Sequence, residues 1–463
     1  MKRGFVIIFL FWNLFCCFAN DALEEDLAYL KLVFENCYAG YEYNLKQGFD
    51  SQMAINEIRE QYYIQAGKKE KINTYVLTNC IDNYFVKKLP VFDAHLSVSS
   101  SGYPFFPAIE NFYWVPINFV KKGNDYFVTR NFVKGVKRND KYTGDPANIF
   151  KVNDNKYIFG FFSDNKKSDP PLSINNNKDF QFKKRLCHKI INNELVFGVR
   201  TTEKSIYLSL SDCDFASNNK KLHFQIEQQF KENIATLRKG NFENVIIDLR
   251  GNTGGQVTNV IPLVKVINHI DSYEDENDVD KKIKSIQRGE KTVYSPEMIP
   301  AIQEYIKRHP GFGYNSPDFE EYKSTHIECN NTEYFKFIPK FKGKLFILTD
   351  TNTASAAEEI IAYLSIYDDI TIIGSNTWGC ADFGSVLEYF LPNSKIKLTL
   401  ASRSMNNMSA FRNNYRWKGD GKGFYPDYWV FASVYLDKLV QFTNDKKLQT
   451  KLKGLDYGLL KSN

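Results

Sequence analysis

Beyond residue 20 the sequence has no apolar run long enough to cross a bilayer, and it has no C-x-x-C pair anywhere. The first absence excludes a bundle of membrane-spanning helices. The second leaves structural zinc and dithiol redox chemistry without a motif, and no metal or other cofactor is expected. Neither G-x-x-x-x-G-K-[ST] nor G-x-G-x-x-G occurs, so the common phosphate and dinucleotide cradles are missing. Glycine and proline number only 26 and 15 in 463 residues, and no internal repeat is visible. These counts exclude a collagen-like fibre and a low-complexity linker protein. Excess charge is scant as well: 60 basic residues face 54 acidic ones, and Lys2 and Arg3 supply two of the six surplus positive charges. A surplus so small and evenly spread does not describe a nucleic-acid-binding surface. Aromatic residues are plentiful, with 38 Phe and 28 Tyr, enough to bury a sizeable core. The length corresponds to about three domains.

The N-terminus has the layout of an export signal. Lys2 and Arg3 precede an apolar run from Phe5 to Phe18, and Cys17 and Ala19 place small residues at −3 and −1 of a cleavage site before Asn20. Residues 1–19 are therefore expected to be a removable signal peptide, and the protein to be secreted or periplasmic. Lipid attachment at Cys17 is the lesser alternative. Six cysteines then remain: Cys37, Cys80, Cys187, Cys213, Cys329 and Cys380. In an oxidising compartment they permit three disulfides, and their spacing favours no pairing.

Three segments follow. Residues 20–90 read as helical: Leu23, Leu27, Leu30, Phe34 and Cys37 recur at intervals of three and four, a second helix starts at Asp50 or Ser51, and a third covers Tyr75 to Val86. Residues 91–205 read as β-rich, with aromatic runs at 113–119, 126–133 and 156–162 separated by Asn/Asp/Gly/Lys turns. From 206 to 435 strand and helix alternate. Strands are expected at 245–249, 345–349 and 370–373, and helices at 222–237, 257–270 and 355–364, with a charged insertion over 271–340. Such alternation argues for parallel strand pairing. A tail helix is expected over 436–463.

Two loops carry chemistry. The first, Leu348 to Glu358, takes a buried strand through a short polar turn into a helix opened by small residues, with Ser355 at its start. Free backbone N–H groups and the helix dipole favour negative charge there. That suits a nucleophilic oxygen, and the Ala356 N–H is placed to hold an oxyanion. A serine at a helix start is, however, most often a plain cap. The second loop, Asp248-Leu249-Arg250-Gly251-Asn252-Thr253-Gly254-Gly255, empties another strand into a glycine-rich turn. Its bland reading is a tight strand-to-helix connection. Its functional reading is the other half of an oxyanion hole, with Gly254 or Gly255 as donor.

Together these loops resemble the tail-specific, or carboxyl-terminal-processing, serine peptidases and their tricorn-like relatives. The family's "I-D-L-R-x-N-x-G-G" is matched by residues 247–255 and its "T-A-S-A-x-E" by residues 353–358. Its "G-x-x-T-x-G" is matched by residues 374–379 and its closing "G-x-x-P-D" by residues 423–427. The resemblance covers about residues 205–430. It implies an α+β fold: an N-terminal helical segment, a β-rich middle, and a spiral β–β–α peptidase core like that of crotonase and ClpP. It also implies a peptide or protein substrate. No PDZ-like signature stands out between residues 100 and 205.

The general base departs from the processing branch, whose lysine position holds Cys380 here. A thiol offers neither the charge nor the reach of lysine. The tricorn-like branch uses a histidine in an Asp-Gly-His context, and Asp93-Ala94-His95 resembles it. The resemblance thus implies His95 as base and Ser355 as nucleophile. The other histidines (His188, His223, His269, His309 and His326) lack that context. No glutamate follows Glu388 to match the branch's orienting acid; Asp420, Asp427 and Asp382 are candidates, with Asp420 first. The expected function is a serine endopeptidase working through a Ser355 acyl-enzyme. The alternative is an inactive ligand- or peptide-binding protein on the same fold.

Overall fold

The computed structural model describes residues 21–69, 71–100, 103–105, 111–163, 169–186, 198–210, 212–213, 220–255, 259–267, 291–292, 341–367, 369–404, 416–430 and 435–452. The signal segment and nearly all of the 271–340 insertion, with Cys187, Cys329, His188, His269, His309 and His326, lie outside the described residues. The chain divides into two compact units, one of residues 1–107, 284–330 and 382–407, the other of 108–283, 331–381 and 408–463.

In the first unit the periodic leucines of the N-terminal segment form helix Asp21–Cys37. Helix Ser51–Ala66 starts where Asp50 accepts the Met53 N–H (2.9 Å), and helix Thr74–Tyr84 where Asn73 accepts that of Val76 (3.2 Å). Both are N-caps that satisfy an otherwise orphaned donor. These helices share one core with a hairpin absent from the sequence reading, strands Phe383–Phe390 and Lys397–Ser404. Lys397–Ser404 also pairs antiparallel with Ser97–Ser100, setting Ser97 opposite Thr399. Asp26 of the first helix is buried and accepts the Asn393 and Ser394 N–H groups (2.7 and 2.9 Å), which pins the hairpin turn to the helix. Burial pushes its carboxyl above the usual range, against the pull of those hydrogen bonds.

Among the described residues the second unit holds two sheets. The larger has the order Tyr428–Trp429, Ile370–Gly374, Lys344–Thr349, Asn244–Asp248, Ser205–Ser209, Gly198–Thr201. Its first five strands are parallel and the last is antiparallel. Alternation along the pleat turns Tyr207, Ile246, Phe346, Leu348 and Ile373 to one face, where they pack with Leu439, Leu448 and Leu452. Those three leucines belong to helices Tyr435–Thr443 and Lys446–Leu452. The expected single tail helix is therefore two: Asn444 turns left-handed (φ 54°), and Asp445 accepts the Lys447 N–H (3.1 Å) to start the second. The smaller sheet is antiparallel, in the order Asp125–Asn131, Asn111–Lys122, Lys156–Ser163, Ile149–Asn153, with Arg185–Leu186 also paired to Asn111–Lys122.

Helix Ile261–Ile267 is the described part of the helix expected over 257–270. Cys37, Cys80, Cys213 and Cys380 are all buried, and no disulfide joins any two of these four.

Phe34 is 1% exposed, with the rings of Phe85, Tyr38 and Phe49 at 4.4, 4.9 and 5.8 Å. Phe34→Ala is expected to destabilise by about 3–5 kcal/mol, read as a lower urea midpoint with the urea slope unchanged.

Candidate active site

Strands Asn244–Asp248 and Lys344–Thr349 run parallel in register, Asp248 beside Leu348, so the loops that follow them leave the sheet side by side. Backbone and side chain then stitch the two loops together. Leu249 N–H donates to Leu348 O (3.0 Å), Ala354 N–H to Asn252 O (2.9 Å) and Thr353 Oγ1 to Leu249 O (2.9 Å). Asp350 Oδ1 accepts N–H bonds from Gly251, Asn352 and Thr353 at 2.9–3.1 Å. Burial raises the Asp350 carboxyl above its ordinary value. Beneath the glycine loop, Arg250 lies against Asp248, its Nε 2.8 Å from Oδ1, and Tyr207 donates its hydroxyl to the same carboxylate. That buried pair fixes the point where the strand becomes loop.

Ser355 precedes helix Ala356–Tyr367 and adopts φ 52°. A non-glycine residue there is strained by about 1–3 kcal/mol. The sequence Ser-Ala-Ala-Glu is a capping box, and Glu358 does reach back to the Ser355 N–H (3.1 Å). The reciprocal bond from the serine hydroxyl is absent: the Glu358 N–H donates to the Ser355 carbonyl instead (2.7 Å). The plain-cap reading of Ser355 therefore fails, and its Oγ is released from the helix start. Gly254 stands directly against it. A Cβ there would lie 2.7 Å from Ser355 Cβ and 3.0 Å from the Ala356 nitrogen, and φ 103° is itself glycine territory.

Of the two glycine N–H groups considered as oxyanion donors, that of Gly254 is already engaged by Asn252 Oδ1 (2.9 Å). Among the described residues no partner takes the N–H of Gly255 or Ala356. The structure thus brings Ser355, Ala356 and Gly254 into one place, with Gly255 next in the chain.

Glu358 is fully buried and gathers the next loop. It accepts the Thr377 hydroxyl, the Gly379 N–H (2.8 Å) and the Cys380 N–H (2.8 Å), besides that of Ser355. Thr377 Oγ1 in turn accepts the Phe424 N–H (2.7 Å), and a Cβ on Gly423 would meet that oxygen at 2.2 Å. The T-x-G and G-x-x-P-D segments are therefore interlocked behind the serine. In the sequence Glu358 reads as an ordinary helix residue; its place three after Ser355 is the available signal.

Cys380 Sγ accepts the Ser355 N–H (3.0 Å). Burial, reinforced by the nearby charges of Glu358 and Asp420, holds its thiol well above the usual value. It stays protonated and is no base. Asp420 Oδ1 accepts the Ala381 N–H (2.9 Å). Asp427 is occupied by Arg416 Nε (3.0 Å) and the Ile372 N–H (2.9 Å).

His95 belongs to the first unit. Its N–H donates to Asp93 Oδ1 (2.7 Å), and its Nδ1 lies 3.7 Å from the same oxygen. Thr399 donates its hydroxyl to the His95 carbonyl (2.9 Å), tying the motif to the hairpin. Burial drives both groups toward neutrality: the imidazole falls to about 4, and the Asp93 carboxyl rises to about 7, helped by the charge of Asp382. In the sequence Asp93 marks only the context of His95; its position two residues before the histidine is the signal. His223 lies on helix Lys220–Lys239.

Residues 207–430 match the sequence profile of peptidase family S41. No curated protein matches the chain. Among solved structures, mature CPAF complexed with lactacystin is 12% identical, with a TM-score of 0.44 over 94% of this chain and 99% of that one. The photosystem II D1 C-terminal processing protease is 11% identical, with a TM-score of 0.36 over 92% of this chain and 98% of that one. The tricorn protease is 13% identical, with a TM-score of 0.33 over 91% of this chain and 37% of that one. The match to peptidase family S41 thus spans residues 207–430, a little under half of the chain, and supports a serine peptidase.

Proposed function

We propose that the protein is an endopeptidase in which Ser355 is the nucleophile and His95 the general base. The observation that carries the reading is the left-handed Ser355, released from its cap and set against Gly254 at the head of a helix. Ser355 Oγ attacks the scissile carbonyl while His95 takes its proton. The N–H groups of Gly255 and Ala356 hold the resulting oxyanion, replacing Gly254, whose donor is spent on Asn252. His95 then gives the proton to the leaving amine, and water hydrolyses the acyl-enzyme by the reverse sequence. Asp93 positions His95 through its backbone N–H, its Oδ1 lying 3.7 Å from Nδ1, outside hydrogen-bond reach, and Asp420 holds the turn after Cys380. Lys2, Arg3, the apolar run and the small residues before Asn20 support action outside the cytoplasm, on secreted or periplasmic proteins and peptides.

A fluorophosphonate probe tests the assignment. Purified protein is expected to label; Ser355→Ala is expected not to; His95→Ala should label about 10²–10⁴-fold more slowly. Labelling that persists in Ser355→Ala would remove the nucleophile.

The pH profile has a definite sign. An imidazole held at about 4 remains the neutral base down to that pH, so the labelling rate should stay level from pH 6.5 to 5 and fall only near 4. Asp93 loses its proton near 7, which makes the neighbouring imidazole more basic, so a second, smaller rise is expected there. That step should vanish in Asp93→Asn. An acid limb at about 6.5, the ordinary histidine value, that persists in Asp93→Asn would contradict the buried environment.

Glu358→Ala leaves the hydroxyl of Thr377 and the N–H groups of Gly379 and Cys380 without their acceptor, and leaves that of Ser355 only Cys380 Sγ. A loss of about 3 kcal/mol or more is expected in urea unfolding, together with loss of labelling under native conditions.

A further inference from the structure

The smaller sheet of the second unit buries one face and leaves a cavity on the other. Val115, Ile117 and Phe119 point into one core, and the alternate residues Trp114, Pro116 and Asn118 line the cavity. Its volume is about 290 Å³, near the lower end for small-molecule pockets. The floor is aromatic and aliphatic: Trp429, only 4% exposed, packs there with Val152 and Ile158. Four cations line the same cavity, Arg130, Lys156, Arg185 and Lys438, and no acidic residue does among the described residues.

These cations lack the usual reason for being together. Arg185 lies over the Trp114 ring (5.3 Å) and Arg130 over that of Phe132 (5.3 Å), contacts that orient the guanidinium groups without neutralising them. Lys438 Nζ donates only to the neutral Gln441 amide (3.1 Å). Lys156 is held below its ordinary value, first by burial and then by the like charges of Lys438 and Arg130. No ion pair joins any of the four to a carboxylate among the described residues. The cavity thus concentrates positive charge over an apolar floor, an arrangement that disfavours the empty state and favours an anion carried on a flat ring.

We propose that this cavity is a binding site for a small aromatic carboxylate, its ring seated between Trp114 and Trp429 and its charge met by Arg130, Lys156, Arg185 and Lys438. The volume admits one ring system rather than a peptide segment. The site lies on strands and a helix that supply none of the residues of the serine centre.

Calorimetric titration of the whole protein with 2-naphthoate, 2-naphthamide and acetate separates the two requirements. Naphthoate is expected to bind at least tenfold more tightly than either the neutral amide or the ringless anion, and more weakly as salt is raised. The exposed cations can be changed without disturbing the floor: the double variant Arg130→Gln/Lys156→Gln should bind naphthoate at least tenfold more weakly, with its unfolding midpoint unchanged. Equal affinity for naphthoate and naphthamide would overturn the proposal, as would unchanged affinity in the double variant or no heat of binding at millimolar naphthoate.

Discussion

The buried carboxylate of Glu358 is the interaction on which the serine's surroundings depend. Placed at the third position of a helix, it would ordinarily close a cap. Here it also draws in a hydroxyl and two backbone N–H groups from the loop after strand Ile370–Gly374. A charge taken out of water so completely is tolerated only when its lone pairs are filled. That demand forces the helix start and the loop to adopt one mutual arrangement. Thr377 extends the constraint to Phe424, so segments 355–358, 377–380 and 423–424 form one hydrogen-bonded unit. The strain at Ser355 is sustained by this frame: its N–H is held by both Glu358 and Cys380, which leaves the hydroxyl as the group without an assignment in the fold.

Burial also sets the proton inventory. Cys380 sits beside the serine backbone as a neutral thiol, which makes its substitution for lysine a change of role and not of base. Asp93 and His95 are likewise pushed toward their uncharged forms. A pair of this kind holds no ion pair in the resting state.

Much of this was legible in the sequence because local rules and motif agree. The leucine spacing of residues 23–37, the Asp50 cap and the apolar runs at 345–349 and 370–373 each specify their element by periodicity or capping alone. Ser355, Ala356 and the glycine loop were legible because two strands ending in distinctive turns can meet only if they are neighbours in a parallel sheet. The hairpin Phe383–Ser404 was not. Its partner Ser97–Ser100 lies some three hundred residues away, and nothing in either strand announces the other. The choice between Gly254 and Gly255 was also hidden, since it turns on where the Asn252 side chain spends its oxygen. Asp93 and Glu358 were visible as letters but not as roles, because a role there is a hydrogen bond to a backbone N–H.

The hairpin has a consequence for how the protein comes into being. The Thr399 hydroxyl is bonded to the His95 carbonyl and stands beside that of Ser97, and Asn393 and Ser394 close over Asp26. A chain emerging from the ribosome therefore carries its first helices and its histidine for more than three hundred residues before their partners are synthesised. Neither compact unit is a continuous stretch, so neither is complete until the chain has passed residue 400. Formation of the histidine's surroundings is thus a late, long-range event in the life of each molecule, and truncated products of its synthesis lack the strand that finishes them.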